Sequence, residues 1–403
     1  METSFQNMIT NLEQRLKERP RGFDYFAKEM FSTFLSAFDK DRRVVYVSAY
    51  AFPMELLWAF DVVPFDFEMA CNNLPIVMQG EGSSIMVKSE NVGYSRNICS
   101  FDRVIIGCMY QDMLPKGDLY ITSSYYCHGK AKRNEVVAKH HGKGSILFDV
   151  PNEISPSSIK YVTSQLKEIA SMLENITSKK LDMDRLKEAI RWSNRARSSS
   201  QDVNELMKTK PCPWDGYLAC MVGLGGSIFQ GSPIRDEINQ MLIREMRDRI
   251  DNGKLFSESH RVLWFPWVPA QTTNIFTTLK ENHVSVPTAE ATMVWWSEID
   301  ESNPFEALAF KSLQNPHVGR AERRVENIIR LAEEYIVDGA IHFTTPACYH
   351  ENGSLRLISD ALKNKSVPLL NLDGDMSDER NYFPEQTLNK LSTFIEMLKS
   401  HSD

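Results

Sequence analysis

Apolar positions along this chain follow two periods. Through residues 1–42 they recur at helical spacing among charged neighbours, at Phe23, Phe26, Met30, Phe31 and Phe34, which predicts a helical N-terminal segment. At Arg43 the pattern changes. Arg43-Val-Val-Tyr-Val-Ser48 is a β-rich run, and Pro53 then suits the first turn of a helix that carries Glu55. Val62–Phe67, Leu119–Tyr126 and Ile146–Val150 read as further strands, with a helix through 130–141 between the last two. Such alternation predicts βαβ units and a parallel sheet. Residues 154–210 read as two amphipathic helices, one from Ile159 and one over Leu181–Ala196, before Pro211-Cys-Pro213 breaks the pattern. The α/β theme then returns. A strand begins at Arg261 and ends in prolines, helical spacing covers 319–336, and strands at 340–347 and 367–372 enclose a helix at 353–363. A last helix covers 385–399.

The two α/β stretches look like copies. Asp118-Leu-Tyr-Ile-Thr-Ser-Ser-Tyr-Tyr-Cys127 and Gly339-Ala-Ile-His-Phe-Thr-Thr-Pro-Ala-Cys348 are both strand-like runs that end in a cysteine. A second apolar run follows each at nearly the same distance. The expected fold is therefore α/β, with two flavodoxin-like parallel-sheet domains made by internal duplication. The expected divisions are 1–42 (helical), 43–153 (first α/β domain), 154–230 (helical insertion) and 231–403 (second α/β domain).

At 403 residues the chain is long for one core. Its net charge of −7 and the lack of a basic run exclude a nucleic-acid footprint. No apolar stretch is long enough for a membrane span, and no signal-like segment opens the chain, so a cytoplasmic location is expected. Seven cysteines without such a signal argue against a disulfide framework. Each is then a buried packing thiol, a catalytic thiol or a metal ligand. Gly223-Leu-Gly-Gly226 lacks the Lys-Ser/Thr of a phosphate loop and reads as a packing turn, so the chain shows no ATP site of its own.

Ligands of open parallel sheets sit outside the carboxyl ends of the strands, where Cys127 and Cys348 both fall. Each also precedes a predicted helix N-terminus, a setting that favours thiolate. Cys99 lies in a polar loop before another predicted helix. The spacing of these three matches no compact zinc or ferredoxin pattern. A cluster site and plain packing thiols both remain open on the residues alone, while Cys71, Cys108, Cys212 and Cys220 read as packing. Ser48 and Glu55, near the end of the first strand, and His128, beside Cys127, are candidate catalytic groups. Glu55 could equally cap its helix, and His128 could be an ordinary surface histidine. Trp264, Trp267, Trp295 and Trp296 predict an aromatic core or interface, or else an aromatic-lined pocket.

At these residues the chain resembles the 2-hydroxyacyl-CoA dehydratase D-component family, which includes the core subunits of ATP-dependent aryl-CoA reductases of the benzoyl-CoA type. Pro53-Met-Glu-Leu56, Ile98-Cys-Ser-Phe-Asp-Arg103, Leu114–Leu119 leading to Cys127, Ala347-Cys348 and Leu372–Arg380 carry the likeness in order. It implies a [4Fe–4S] cluster on Cys99, Cys127 and Cys348, an acyl-CoA substrate, a homologous second subunit and a separate ATP-dependent iron–sulfur activator. The run Ala59-Phe-Asp-Val, where the family often has small residues, departs from the pattern.

Overall fold

The computed structural model describes residues 1–73, 82–269 and 274–400. Among these residues, eight strands form two four-stranded, wholly parallel sheets. The first has the order β2-β1-β3-β4, built from β1 (Arg43–Val47), β2 (Val62–Asp66), β3 (Leu119–Ser123) and β4 (Ile146–Phe148). The second repeats that order as β6-β5-β7-β8, from β5 (His260–Phe265), β6 (Val284–Ala289), β7 (Gly339–Thr344) and β8 (Leu369–Asp373). The expected fold class is what the structure has. β2, β3 and β5 are buried along their whole length, as strands covered on both faces must be, which is why they read as unbroken apolar runs.

Helices fill the faces and the connections. Glu2–Glu18 and Gly22–Ser36 pack on each other, and the second reaches β2 through the edge-to-face pair Phe34 and Phe65. Pro156–Thr177, Met183–Met207 and Pro233–Asp251 form the long helical stretch. Ser155, Asp182 and Ser232 cap their first turns, two of them followed by proline. Pro233–Asp251 packs along Met183–Met207 and Gly22–Ser36, so it sits with the helical elements although the boundary expected at 231 assigned it to the second α/β stretch. No helix among the described residues is long and apolar enough to cross a membrane.

Helices such as Gly82–Asn91 and Pro304–Leu313 were not read from the sequence, and two further differences have a clear physical cause. Gly223–Gly226 is not a turn but the end of the helix Gly216–Gly225, running into a 3-10 turn. A Cβ on Gly223 would lie 2.5 Å from the Ala291 carbonyl oxygen, so close helix packing explains this glycine. The strand β6 was not read, because Pro287 interrupts its pattern. It is an edge strand, where a missing donor is tolerated.

The two sheets are joined at the carboxyl ends of their strands by a buried ionic seam. Arg103 and Glu90 come from the first half, Asp378 and Arg380 from the second. Arg103 donates to Glu90 and to Asp378, both at 2.8 Å, and Arg380 donates to Glu90 at 2.6 Å and to Asp378 at 2.7 Å. The Arg103 and Asp378 side chains are 1% and 0% exposed, so water screens little of this attraction. Burial acts to raise the Asp378 pKa, but the bonds from Arg380 and Arg103 outweigh it and hold it at about 2.

A folded pKa below the unfolded value stabilises the protein above pH 4 and loses that contribution as pH falls towards 2. Asp378→Asn is therefore expected to cost about 2 kcal/mol near neutral pH. Its gap to the parent should shrink to about a third by pH 2.5. Urea midpoints at pH 7 and pH 2.5 read this directly, and a gap independent of pH would exclude the seam as its cause.

Candidate functional site

Cys99, Cys127 and Cys348 each occupy the N-cap position of a helix, namely Ser100–Tyr110, His128–His140 and Tyr349–Gly353. All three line one cavity in the cleft between the two sheets. The backbone prepares two of them in the same way. Tyr126 (φ 80°) and Ala347 (φ 62°), the residues just before Cys127 and Cys348, both adopt the left-handed region. For non-glycine residues this costs about 1–3 kcal/mol each and marks positions held by their surroundings. None of the three thiols is in a disulfide. Burial, Asp102 and Cys348 push the Cys99 thiol well up, while the Phe101 amide opposes. Burial and Glu351 push Cys348 up to about 12. A buried thiol with such a shift stays protonated unless a metal replaces the proton.

A charged wall lies beside the thiols. Glu68, two residues past the end of β2, accepts from Arg133 at 2.6 Å, and Arg133 also donates to Asp102 at 2.8 Å. Burial acts to raise Glu68, but Arg133 and Lys130 outweigh it, and the carboxylate is held below its ordinary range. Lys130 is buried with no hydrogen-bond partner on its Nζ, 5.2 Å from the centre of the Tyr126 ring. Burial lowers its pKa, and Glu68 and Cys127 oppose that. Asp66 has both oxygens committed, to the amides of Ala49 (2.9 Å) and Met69 (3.1 Å), so Glu68 is the neighbouring carboxylate left for the cavity. The lining also carries aromatic rings, Tyr50, Tyr126 and Trp267, with Trp267 edge-on to Tyr126 at 5.2 Å.

The residues singled out in the sequence part company here. Ser48 is buried and lines the cavity with the three cysteines. Glu55 does not line it. It is 0% exposed and accepts from Lys311 and Ser193, both at 2.5 Å. Lys311 also donates to Gln230 and lies over the Trp296 ring. The side chain of His128 lies outside the described residues. Cys71, Cys108, Cys212 and Cys220 are buried in the core. Trp264 is also core, stacked with Phe343, so only Trp267 of the four tryptophans lines the cavity. Sequence reading missed Glu68, Lys130 and Arg133. The rule that ligands sit past strand ends could have found Glu68, but the other two became visible only through the helix after Cys127.

Residues 49–398 match the family model described as 2-hydroxyglutaryl-CoA dehydratase, D-component. The chain belongs to this family. It is 24% identical to the alpha subunit of (R)-2-hydroxyglutaryl-CoA dehydratase of Acidaminococcus fermentans, over 73% of this chain and 63% of that protein. It thus spans less than two thirds of that relative. It is 23% identical to the (R)-phenyllactyl-CoA dehydratase alpha subunit of Clostridium sporogenes, over 77% of this chain and 79% of that one. A benzoyl-CoA reductase subunit of Thauera aromatica is 23% identical, over 85% of this chain and 86% of that one.

In this D-component the buried Glu55–Lys311 pair reads as a structural pin between the helix after β1 and the helix Pro304–Leu313. Removing one partner leaves a buried charge unpaired. Lys311→Met should therefore cost about 3–5 kcal/mol, and the double variant with Glu55→Gln should recover part of the loss. Thermal or urea unfolding of the single and double variants checks this. A strictly additive double variant would show that the two side chains are not coupled.

Proposed function

We propose that this chain is the iron–sulfur subunit of a radical 2-hydroxyacyl-CoA dehydratase, which removes water from a 2-hydroxyacyl-CoA to give a 2-enoyl-CoA. The observation that carries this reading is the meeting of Cys99, Cys127 and Cys348 from two halves in one cavity, beside Glu68 and Lys130. The residues fit a [4Fe–4S] cluster. All three thiols are free. They are also not drawn to a single-ion point, since among the described residues the compact triplet of metal-ligating atoms is a different one, His317, His350 and Glu351. Three thiol ligands leave a fourth iron open.

The cluster, when bound, supplies a one-electron couple and a Lewis-acidic iron. The chain's own residues supply the rest. The β-proton of the substrate is barely acidic until one electron on the thioester makes a ketyl radical anion. That anion expels the 2-hydroxyl and makes the β-proton far more acidic. Glu68, ionised under the influence of Arg133 and Lys130, accepts that proton. The Lys130 ammonium, buried and without a hydrogen-bond partner, stabilises the negative charge that develops on the acyl group. Tyr50, Tyr126 and Trp267 exclude water and offer flat apolar contact to the acyl chain. The electron is returned at the end, so the dehydration is redox-neutral overall. The electron enters from an ATP-dependent iron–sulfur activator, and a homologous second subunit completes the enzyme. Similarity to a benzoyl-CoA reductase subunit supports a second reading, ATP-driven reduction of an aryl-CoA. Products separate the two: an enoyl-CoA plus water, or a dienoyl-CoA with net electron consumption.

Anaerobically purified protein is expected to carry about four iron and four sulfide per chain. Cys99→Ala, Cys127→Ala and Cys348→Ala should each lose most of both, while the core variant Cys212→Ala keeps them. Equal loss in the Cys212 variant, or no iron in the parent, would sink the cluster.

Glu68→Gln should keep iron and sulfide but lower the dehydration rate by about 10²–10⁴ in the presence of activator. An unchanged rate removes Glu68 from the chemistry and leaves the cluster proposal standing.

A further inference from the structure

Beside the aromatic rings of the cavity, and reaching its lining through Glu351, lies a second group of potential ligands, which the dehydratase reading does not use. His317 follows the helix Pro304–Leu313, whereas His350 and Glu351 lie in the helix after Cys348. One ligand atom from each falls within 4.8 Å of the other two. The His317 side chain is 1% exposed and neither of its ring nitrogens has a hydrogen-bond partner. Its ring is enclosed by Tyr126 at 4.8 Å, His350 at 5.4 Å, Tyr50 at 5.7 Å and Trp267 at 6.4 Å. A buried polar group left without a partner costs about 1–3 kcal/mol, so this imidazole calls for an explanation.

The distances supply one. His317 Nδ1 stands 3.5 Å from Glu351 Oε1, too long for a hydrogen bond. Two ligand atoms bound at zinc distances to one tetrahedral centre are about 3.4 Å apart. The other carboxylate oxygen, Oε2, is held by Arg324, which also grips both oxygens of Glu290 at 2.7 and 2.8 Å. Arg324 therefore acts as the outer group that orients a ligating carboxylate and leaves Oε1 to point at His317. Its own charge is offset by Glu290, so a cation beside Glu351 does not face an uncompensated guanidinium. Burial and Arg324 also keep His317 neutral, the form that ligates.

We propose that His317, His350 and Glu351 bind one divalent transition-metal ion of the zinc class, separate from the three-cysteine site and next to the same cavity. Imidazole and carboxylate ligands in this number suit such an ion and leave a fourth position open. The ion would tie the helix that follows Cys348 to the loop after Pro304–Leu313 and satisfy the His317 ring. This inference does not depend on the dehydratase reading, because neither the ligands nor the test involves acyl-CoA.

The test is zinc retention on the full, anaerobically purified chain. Protein is incubated with Zn²⁺ alone and dialysed against weak chelator, and zinc, iron and sulfide are then measured together. The parent should retain about one zinc beyond the iron that accompanies sulfide. His317→Ala and His350→Ala should lower retained zinc at least tenfold with iron and sulfide unchanged, while the exposed His140→Ala should match the parent. No retained zinc in the parent, or retention unaffected in both site variants, overturns the proposal. Should an alanine variant lose sulfide as well, His317→Asn and Glu351→Gln, which keep side-chain size, decide by the same criterion. Co²⁺ in place of zinc guards against capture by the cysteines. Thiolate-to-cobalt charge-transfer absorption in the near ultraviolet places the ion there and overturns the assignment. Visible bands without it support nitrogen and oxygen ligands.

Discussion

Everything at the centre of this molecule follows from burying charge between two parallel sheets. Ionised groups taken out of water are costly unless they are paired, and the cleft holds many of them. The structure answers with buried ionic groups, one of which is Arg133 with Glu68 and Asp102 beside the thiols. Arg103, Asp378, Arg380 and Glu90 close the seam at the strand ends. Arg324 holds Glu290 and Glu351 together. Lys311 and Glu55 pin the helical layer to the first sheet. The seam and the Glu55–Lys311 pair join residues from the two halves and so fix how the halves meet, while Arg324 braces the second half. The three cysteines can converge only because that relation is fixed.

Within this frame some groups around the cavity are left unsatisfied. Lys130 Nζ and both nitrogens of His317 have no hydrogen-bond partner. Two thiols are pushed up by burial. Two residues in the left-handed region, Tyr126 and Ala347, stand directly before cysteines at equivalent points of the duplicated halves. Unpaired polar atoms and backbone strain occur together where a bound group is expected to compensate for both. Elsewhere local chemistry and fold agree: serine and aspartate cap the long helices, and edge strands carry the prolines.

The reading of the chain succeeded where signals were local. β1, β3 and β7 begin where their apolar runs begin, and the cysteines at the ends of two of those runs lie at helix starts. It stumbled where a neighbour far along the chain decides. β6 is obscured by Pro287, and the Gly223–Gly226 run is helical because Ala291 packs against it. Glu55 is expected as a base at a strand end; what the chain pattern does not show is that Lys311, distant in sequence, binds its Oε1 and leaves Oε2 without a hydrogen-bond partner.

The sequence by itself therefore determined the strand–helix alternation, the duplication and the three cysteines at the ends of elements, because these depend on periodicity and on residues close together. Tertiary structure alone decided which charged side chains share the cavity with those cysteines. Glu68, Lys130 and Arg133 face it, and Glu55 does not. The physical reason is that partner choice among buried charges is settled by which groups the packed halves bring within a few ångströms, and no local pattern encodes that distance.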